Sequence, residues 1–412
     1  MSKLESITLL GSASGRNAGD AALIAAIMDG VDEACGRRLR YEIPTIRADY
    51  IRDEYPNDSI PVGMMPWHGA LRMLGIPTLR SILRTDAILI FDACLFDRSL
   101  FNPLFNFLSS FYLMLPLAKK RGVPIIGFNV GVGPVHTKSG KKMLKKVVDM
   151  MDFITVRDQD SLDLLREVGV ENTRVQLAAD AALNAPSGDE AEATEIYKKV
   201  GIDIHEAKLG INVNRYLDTW ASADRESMGK EKFLDVFSAA LIKVHAELNV
   251  PIVFVTTQHH DIEVTQDLID RLPSEIRTAR IDNRDYNHAK IKGVLRHLDL
   301  LCGMRLHSLI MASAELAPVV GITYQPKVAY YFRELELPER TVSFDDFTPE
   351  SLSTLMLEGW RDKADLSAQL HKRIPVLKAK AAWSAELMAA FDQGGDQLET
   401  IWQRGPELPE TK

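Results

Sequence analysis

The sequence predicts an α/β protein made of two doubly wound Rossmann-like domains that face each other across a cleft. Short apolar segments alternate with segments of helical periodicity along most of the 412 residues. The apolar segments lack an in-out alternation, which is typical of parallel strands that are buried on both faces of a sheet. The pattern restarts after a polar, acidic segment at residues 184–195, so the chain contains two similar halves. Because such halves bind ligands at the carboxyl ends of their strands, we expect the site in the cleft.

Each half is justified by its own strand and helix signals. Unbroken apolar runs predict the strands, and apolar side chains spaced three or four residues apart predict the helices. In the first half the strands fall at residues 7–10, 87–91, 124–130 and 153–156, with helices at 21–31 and 161–168. In the second half the strands fall at residues 208–213, 251–256, 298–302 and 319–324, with helices at 230–248 and 366–402. We expect an N-terminal domain at residues 1–187, a C-terminal domain at 188–366 and a helical tail at 367–412.

Composition excludes several classes of protein. The hydrophobic fraction of 46% and the charged fraction of 26% are ordinary for a globular protein. The net charge of −8, without a long basic block, argues against nucleic acid as a partner. Three widely spaced cysteines, Cys35, Cys94 and Cys302, predict free thiols in a reducing compartment. The N-terminus lacks a secretory signal pattern, so a cytoplasmic location is expected.

The longest apolar stretch, residues 101–118, is interrupted by polar residues and two prolines, which is too many for a spanning helix. We interpret it as a buried or interfacial helix. A peripheral contact with a membrane is the alternative, because amphipathic helices bind membrane surfaces through side chains of this kind. The residues concerned are Phe105, Phe107, Phe111, Tyr112 and Leu113.

The most informative segment is the strand–helix–strand unit at residues 298–327, which carries Arg305 and His307 at the helix entrance. A helix N-terminus offers unpaired N–H groups and a partial positive charge. Together with Arg305 and a protonatable His307, this predicts an anion site that can also donate a proton. The alternative is a solvated arginine and a packed histidine.

Loops at the ends of first-half strands carry further candidates. Residues 11–20 link a strand to a helix and contain Asn17 and Asp20, with glycines that let the backbone approach a ligand. Their spacing does not match the dinucleotide fingerprint, and Asp20 could instead cap the helix. Gly131-Val-Gly-Pro134 is either a binding loop or an ordinary turn. Near Arg157 and Asp158 the pattern favours an internal ion pair and a helix cap.

A polar segment containing His259 and Asp261 follows the strand at residues 251–256. These two side chains share a face if the chain stays extended, which would suit a metal ion. A third ligand with suitable spacing is missing from the sequence, so we expect no metal and favour hydrogen bonding to a substrate. Arg215, just past the strand at residues 208–213, is a second cationic candidate; the alternative is an exposed arginine.

The order of these elements resembles the polysaccharide pyruvyl transferase family. The resemblance spans roughly residues 4–330, and its strongest element is the Arg-Leu-His sequence in this setting. The matching segments are Asn17-Ala-Gly-Asp20, Gly131-Val-Gly-Pro134, Val156-Arg-Asp-Gln-Asp-Ser161, Asp180-Ala-Ala, Arg305-Leu-His307 and Tyr324-Gln-Pro-Lys327. The resemblance implies two domains of the GT-B glycosyltransferase architecture.

The resemblance also implies transfer of the enolpyruvyl unit of phosphoenolpyruvate to a sugar, as a ketal, with release of phosphate. Phosphoenolpyruvate is then a co-substrate, and no other cofactor is expected. His307 is the candidate acid, and Asp20 or Asp261 is the candidate base. Candidate substrate-binding residues are Arg305, Leu306, Arg215, Asn17, Gly133 and Lys327. The acceptor is a sugar of a polysaccharide or of a lipid-linked glycan, and the oligomeric state is not predicted.

Two segments depart from the family pattern. Where the family has a glycine-rich turn, this chain has Asp92-Ala-Cys94, which could narrow the cleft or change the acceptor. Where the family has Asp-Pro-Ala-Phe, this chain has Asp180-Ala-Ala-Leu183. Two rival functions stay open: a nucleotide-sugar glycosyltransferase, and a non-catalytic protein that binds a sugar or an anion.

Overall fold

A computed structural model of the chain describes residues 3–56, 59–63, 75–101, 106–215, 229–395 and 397–409. Within these residues, seven strands form a first parallel sheet. They are β1 (Ser6–Leu10), β2 (Arg40–Thr45), β3 (Ser59–Gly63), β4 (Ala87–Ile90), β5 (Ile125–Val130), β6 (Phe153–Val156) and β7 (Val175–Leu177). Their spatial order is β3-β2-β1-β4-β5-β6-β7. The direction of strand addition therefore reverses between β1 and β4, which is the topological switch point of the first domain.

A second parallel sheet of six strands repeats this arrangement in the described part of the second half. Its strands are β8 (Leu209–Asn212), β9 (Ile252–Thr256), β10 (Thr278–Asp282), β11 (Leu300–Gly303), β12 (Val319–Thr323) and β13 (Thr341–Ser343). The spatial order is β10-β9-β8-β11-β12-β13, with the switch point between β8 and β11. The prediction of two doubly wound α/β domains is confirmed.

Helices cover both sheets and connect their strands. In the first domain they are α1 (Ala18–Cys35), α2 (Ala48–Glu54), α3 (Ile76–Arg84), α4 (Phe107–Lys120), α5 (Lys138–Asp149) and α6 (Gln159–Val168). In the rest of the described chain they are α7 (Glu190–Lys199), α8 (Lys230–Leu248), α9 (Ile262–Ile269), α10 (His288–Leu295), α11 (Leu306–Ala314), α12 (Pro326–Glu334), α13 (Pro349–Arg361), α14 (Lys363–Asp392) and α15 (Leu398–Arg404). Short 3-10 helices lie at Ala181–Asn184, His259–Asp261 and Phe344–Asp346.

The 30-residue helix α14 returns from the second domain and packs against α1 of the first. Its Ser384 hydroxyl bonds to the Thr155 hydroxyl at 2.8 Å, and Asp392 pairs with Arg37 at 2.7 Å. One apolar core runs from the first sheet through α1 and α14 into the second sheet. The two domains are therefore joined by buried side chains as well as by the chain itself.

The strands that the sequence did not predict are β2, β3, β7, β10 and β13. All except β2 lie at a sheet edge, where a strand needs less apolar surface. The strand β2 carries Glu42, which is buried but bonds to the Arg84 guanidinium at 2.8 Å. Because Arg84 lies 42 residues from Glu42, the local sequence pattern does not reveal β2.

Candidate active site

The carboxyl ends of the two sheets meet in the cleft, so both switch points face one another. The loop that follows β1 reaches the second sheet directly. Ala18 N donates to Thr257 O at 2.8 Å, and His259 N donates to Arg16 O at 2.9 Å. The loops after β1, β4, β8 and β11 therefore surround one space, as the doubly wound topology requires.

Arg305 is held rigidly at the entrance to α11. Its Nε and Nη2 atoms donate to the two carboxylate oxygens of Asp261, both at 2.7 Å. Its backbone N donates to Asn212 Oδ1 at 3.0 Å, and the same oxygen accepts from Ser308 Oγ. Bidentate pairing fixes the plane of a guanidinium, so Arg305 is oriented before any ligand arrives.

Asp261 lies fully buried beneath Arg305 and also accepts a hydrogen bond from Arg215 N at 2.9 Å. Residues His259–Asp261 form a 3-10 helix, not the extended chain that a shared metal-binding face requires. In the described part of the chain, no group of three or more His, Cys, Asp or Glu side chains could hold a metal ion. The Arg215 side chain is exposed, and only its backbone is tied to Asp261.

His307 projects from the first turn of α11 across the cleft to the first domain. Its ring packs on Gly19, where an added Cβ would lie 2.2 Å from Nδ1, so only glycine permits this approach. On the other side, Nε2 lies 3.7 Å from Asp180 Oδ2. The His307 side chain is 14% exposed, and its Nε2 atom is buried.

Asp180 begins the 3-10 helix Ala181–Asn184 and links His307 to Arg157, whose Nη1 lies 3.1 Å from Asp180 Oδ2. Burial by itself would raise the pKa of Asp180, but His307, Arg157 and a backbone N–H outweigh it and lower the pKa to about 2. Asp180 is therefore ionised at neutral pH. The predicted ion pair between Arg157 and Asp158 is present at 3.5 Å, and Asp158 caps α6 as expected.

Asp20 lies buried in the first turn of α1, next to Gly19. Asn17 caps this helix through Gly19 N, so Asp20 itself is not the cap. Asp20 accepts hydrogen bonds from Asn17 Nδ2 at 2.8 Å and from Ser12 Oγ. Burial and the charge of Asp92 raise its pKa to about 7, although Ser12, His307 and Arg305 act in the opposite direction. A carboxyl group that titrates near neutrality suits general acid–base catalysis.

Asp92 occupies the turn after β4 with a φ of 64°, in the left-handed region that favours glycine. Its Oδ1 accepts from Ala93 N at 2.6 Å, a local bond that helps aspartate to adopt this conformation. The Asp92 charge acts on Asp20, Lys327 and Arg157, so its carboxylate belongs to the same cleft.

Lys327 enters the cleft from the first turn of α12. Burial lowers the pKa of its ammonium group to about 8, and the charges of Arg157 and Arg305 act in the same direction. Within the described residues its ammonium group has no hydrogen-bonding or ion-pair partner. Lys327 lines a pocket between the domains together with Arg157, Asp180, Leu306, Ile310 and Tyr330. This places Leu306, predicted to bind substrate, on the pocket wall.

Gly133, a predicted binding residue, contacts Leu95 and Leu164. It precedes a cis peptide bond to Pro134, and its N donates to Leu95 O at 2.8 Å. An added Cβ at Gly133 would meet the Leu164 side chain. Gly131 of the same loop lies against the Arg157 guanidinium instead, so the loop supports a cation of the cleft.

Sequence reasoning did not select Asp180 or Asn212 as site residues, and it treated Arg157 as structural. The sequence analysis named Asp180 only within the segment Asp180-Ala-Ala, which resembles the family. Asn212 lies inside a predicted strand, and the local sequence does not show that its side chain accepts a hydrogen bond from Arg305 N. Arg157 and Asp180 acquire their roles through His307, 127 or more residues away in the sequence.

Comparisons with known proteins give results for the family and for the fold of this chain. The profile of the polysaccharide pyruvyl transferase family matches residues 17–326. A search of curated protein sequences finds no significant match. In the described residues, none of the helices is long and apolar enough to cross a membrane.

Solved structures with the same fold include nucleotide-sugar epimerases. A putative UDP-N-acetylglucosamine 2-epimerase from Listeria monocytogenes is 11% identical, covers 100% of both chains and has a TM-score of 0.64. The S. aureus MnaA structure with UDP is 12% identical, also covers 100% of both chains and has a TM-score of 0.64. Anabaena Alr3699/HepE with UDP and glucose is 12% identical, covers 97% of this chain and 98% of its own, and has a TM-score of 0.55. At these identities the likeness establishes the fold alone.

Proposed function

This chain belongs to the polysaccharide pyruvyl transferase family, and on that premise we propose that it uses phosphoenolpyruvate as the pyruvyl donor. The product is a pyruvate ketal on a sugar, with inorganic phosphate released. The observation that carries the proposal is the set of cations where the two switch points meet. These groups interact electrostatically with one another or with shared carboxylates. They are Arg305, Lys327, Arg157 and His307.

The donor carries a carboxylate and a phosphate, so its site must supply several cations and hydrogen-bond donors. Arg305 offers planar, pre-oriented donors, and Lys327 offers a mobile point charge. The ammonium of Lys327 loses free energy through burial and through repulsion by Arg157 and Arg305. An anion bound among these three cations would offset both costs, which favours a multiply charged ligand.

The reaction needs one acid and one base on the first-domain side of the donor. His307 donates its proton to the methylene carbon, which becomes the methyl group, and a sugar hydroxyl oxygen attacks the adjacent carbon. Asp20 accepts the hydroxyl proton. A second sugar hydroxyl then attacks the same carbon and gives its proton to His307, while the bond to the phosphate oxygen breaks and the phosphate leaves with the proton held by Asp20. The packing of His307 on Gly19 brings this acid next to Asp20.

Asp261 has a different role in this proposal. Both of its oxygens are engaged by Arg305, and one also accepts from Arg215 N. A carboxylate in that position is best suited to orient Arg305, so we assign the base to Asp20 and a positioning role to Asp261. The apolar wall formed by Leu306, Ile310 and Tyr330 is our candidate surface for the acceptor sugar. We propose a polysaccharide or lipid-linked sugar as acceptor, at the cytoplasmic face of a membrane.

Thermal unfolding with and without phosphoenolpyruvate tests the donor first. A ligand at about 100 times its dissociation constant stabilises the folded state by about 2.7 kcal/mol, which a melting curve resolves. We expect a shift for the wild type and none for Lys327→Met. The matched control is Lys372→Met, which removes an exposed lysine from α14 and should keep the shift.

The outcomes separate the rival functions. A shift with uridine diphosphate but none with phosphoenolpyruvate would favour a nucleotide-sugar enzyme, which the fold also accommodates. A shift with phosphoenolpyruvate but no phosphate release with any acceptor glycan would favour a non-catalytic binding protein. Phosphate release that requires both donor and glycan would establish the transferase.

A further inference from the structure

One continuous part of this acidic protein is strongly basic. Residues 98–148 contain nine Lys or Arg residues and no Asp or Glu, whereas the whole chain carries a net charge of −8. Helices α4 and α5 occupy much of this segment and pack against each other on the first domain. Part of this positive charge is neutralised, because Lys119, Lys141 and Lys145 pair with acidic residues outside the segment.

Helix α5 contributes a row of lysines. Lys138, Lys142 and Lys146 are exposed and recur every four residues, so they lie along one side of the helix. Among the described residues none of the three forms an ion pair, whereas Lys141 pairs with Glu167 of α6 and Lys145 pairs with Asp149 of α5 and with Glu171. Lysine is unfavourable near a helix N-terminus, so Lys138 is not explained by the stability of α5.

Of the side chains predicted to contact a membrane, Phe107 and Phe111 are buried and Phe105 lies outside the described residues, but helix α4 exposes other apolar side chains. Leu113 is 69% exposed and Leu117 is 46% exposed, and their four-residue spacing puts them on one side of the helix. Phe101, in the loop before α4, is 76% exposed. The lysine row adjoins this helix, because the Lys146 ammonium lies 4.7 Å from the centre of the Tyr112 ring. We name the surface formed by Phe101, Leu113, Leu117, Lys138, Lys142 and Lys146 the basic–apolar face.

We propose that the basic–apolar face docks on an anionic lipid bilayer. Leucine and phenylalanine side chains enter the boundary between headgroups and acyl chains, and lysines beside them bind anionic headgroups. A nucleic acid would use the lysines but would leave the two leucines exposed to water. A second copy of this chain would bring the same lysines together and repel. The combination of charge and apolar area therefore fits a lipid surface best.

The position of the basic–apolar face relative to the cleft indicates how docking would place the cleft at the lipid surface. Helix α5 begins just beyond the carboxyl end of β5, and Asp97 holds its entrance by accepting from His136 N at 2.8 Å and from Thr137 N. Phe101 lies in the loop that follows β4, on the same edge of the sheet as the cleft. A docked protein would thus hold the rim of the cleft at the lipid surface. The benefit for a lipid-linked acceptor rests on the proposed function, but the docking does not.

Co-sedimentation of the full chain with lipid vesicles tests the proposal. Vesicles of phosphatidylcholine alone are compared with vesicles containing about 30% phosphatidylglycerol, at low and high salt. We expect binding to the anionic vesicles that weakens as salt rises. Each lysine near such a surface contributes about fivefold to binding, so Lys138→Glu/Lys142→Glu should bind at least about 25-fold more weakly. Leu113→Ser/Leu117→Ser should also bind more weakly at every salt concentration.

The matched control is Lys232→Glu/Lys372→Glu, which makes the same charge change at exposed positions of α8 and α14. It should keep most of the vesicle binding. Equal loss in the two charge variants, or no binding of the wild type to anionic vesicles, would overturn the proposal. Binding to mixed-sequence RNA in preference to vesicles, or a dimer that Leu113→Ser/Leu117→Ser dissociates, would also overturn it.

The donor experiment keeps this test separate from the proposed function. All of these variants should retain the thermal shift with phosphoenolpyruvate, because none of the substituted residues lines the cleft. Vesicle binding without a donor shift in the wild type would reject the proposed donor and leave the docking standing. A donor shift without vesicle binding would do the reverse.

Discussion

The two switch points that meet in the cleft handle their charges differently. In the second domain, Arg305 and Asp261 neutralise each other through two hydrogen bonds of 2.7 Å. In the first domain, Asp20 is buried and is also repelled by Asp92, so its pKa rises to about 7. A compensated pair provides rigidity, whereas an uncompensated carboxyl provides a group that changes its protonation near neutral pH. In the proposed function, the paired Arg305 of the second domain binds the donor and the unpaired Asp20 of the first domain accepts a proton.

The largest expected effect concerns His307, which belongs to the binding domain but reaches into the first. His307→Ala should keep the phosphoenolpyruvate-dependent thermal shift and lower turnover by about 10²- to 10⁴-fold, as for the loss of a general acid. Phosphate release under saturating donor and acceptor measures it. Turnover within about threefold of the wild type would remove His307 as the acid and would break the assigned division of roles.

Asp20→Asn tests the first domain in two ways. It removes the proposed base and should lower turnover by about 10²- to 10⁴-fold. The folded-state pKa of about 7 lies above the ordinary value of 3.8, so the folded protein retains a proton that the unfolded chain releases. Stability conferred by this group is therefore present at low pH and is lost as the pH rises through 7.

An asparagine at position 20 stays neutral at every pH, so it avoids this pH-dependent loss of folding stability. Asp20→Asn should therefore be more stable than the wild type by on the order of 1–3 kcal/mol at pH 8 and by less at pH 5. Urea unfolding at the two pH values checks this expectation. Equal stability of variant and wild type at pH 8 would mean that Asp20 is ionised without cost, and the contrast between the two domains would fail.

Arg305→Ala tests the ion pair between Arg305 and Asp261 in the second domain. Loss of charge-assisted hydrogen bonds should weaken phosphoenolpyruvate binding by on the order of 2–4 kcal/mol, measured by calorimetry. It also leaves Asp261 buried without its partner, which destabilises the fold by about 3–5 kcal/mol. Arg305→Ala/Asp261→Asn is the control, since it should regain stability without regaining donor affinity. Unchanged donor affinity in the double variant would exclude Arg305 from the site.

Gly19→Ala tests the contact that joins the two sides. An added Cβ would lie 2.2 Å from His307 Nδ1, so the ring must move. A misplaced catalytic group costs about 100-fold in turnover, while donor affinity should change little. Gly30→Ala on the same helix is the control: its Cβ would meet only Ala385, at 3.7 Å, and it should stabilise α1 by about 0.5–1 kcal/mol. Full activity of Gly19→Ala would contradict the proposed position of His307.

The smallest expected effect sharpens the role of Asp92. Its charge raises the pKa of Asp20, so Asp92→Asn should lower that pKa and move the acidic limb of the pH–activity profile to lower pH, by under about one unit. Asp92→Gly should give the same shift and add about 1 kcal/mol of stability, because glycine adopts a φ of 64° without strain. A profile that stays in place in both variants would show that Asp20 does not sense Asp92 during catalysis.

The sequence was most informative where the chain packs against itself locally. The predicted strand at residues 153–156 and helix at 230–248 coincide with β6 (Phe153–Val156) and α8 (Lys230–Leu248). Both have uninterrupted apolar patterns, and their neighbours bury those patterns whatever the details of the polar loops. The doubly wound class follows from the same signal, because parallel strands buried on two faces require helices on both sides.

The sequence by itself thus determined the two doubly wound domains and the central strands, and it predicted an anion site at the Arg305–His307 turn. Tertiary structure decided which partner each polar side chain meets: Asp261 pairs with Arg305 from 44 residues away, and Asp180 reaches His307 from the other domain. It also decided that Gly19 would receive the His307 ring and that Asp92 would act on Asp20. Apolar burial follows local periodicity, whereas a buried polar group is satisfied only by whatever group the completed fold brings within hydrogen-bonding distance.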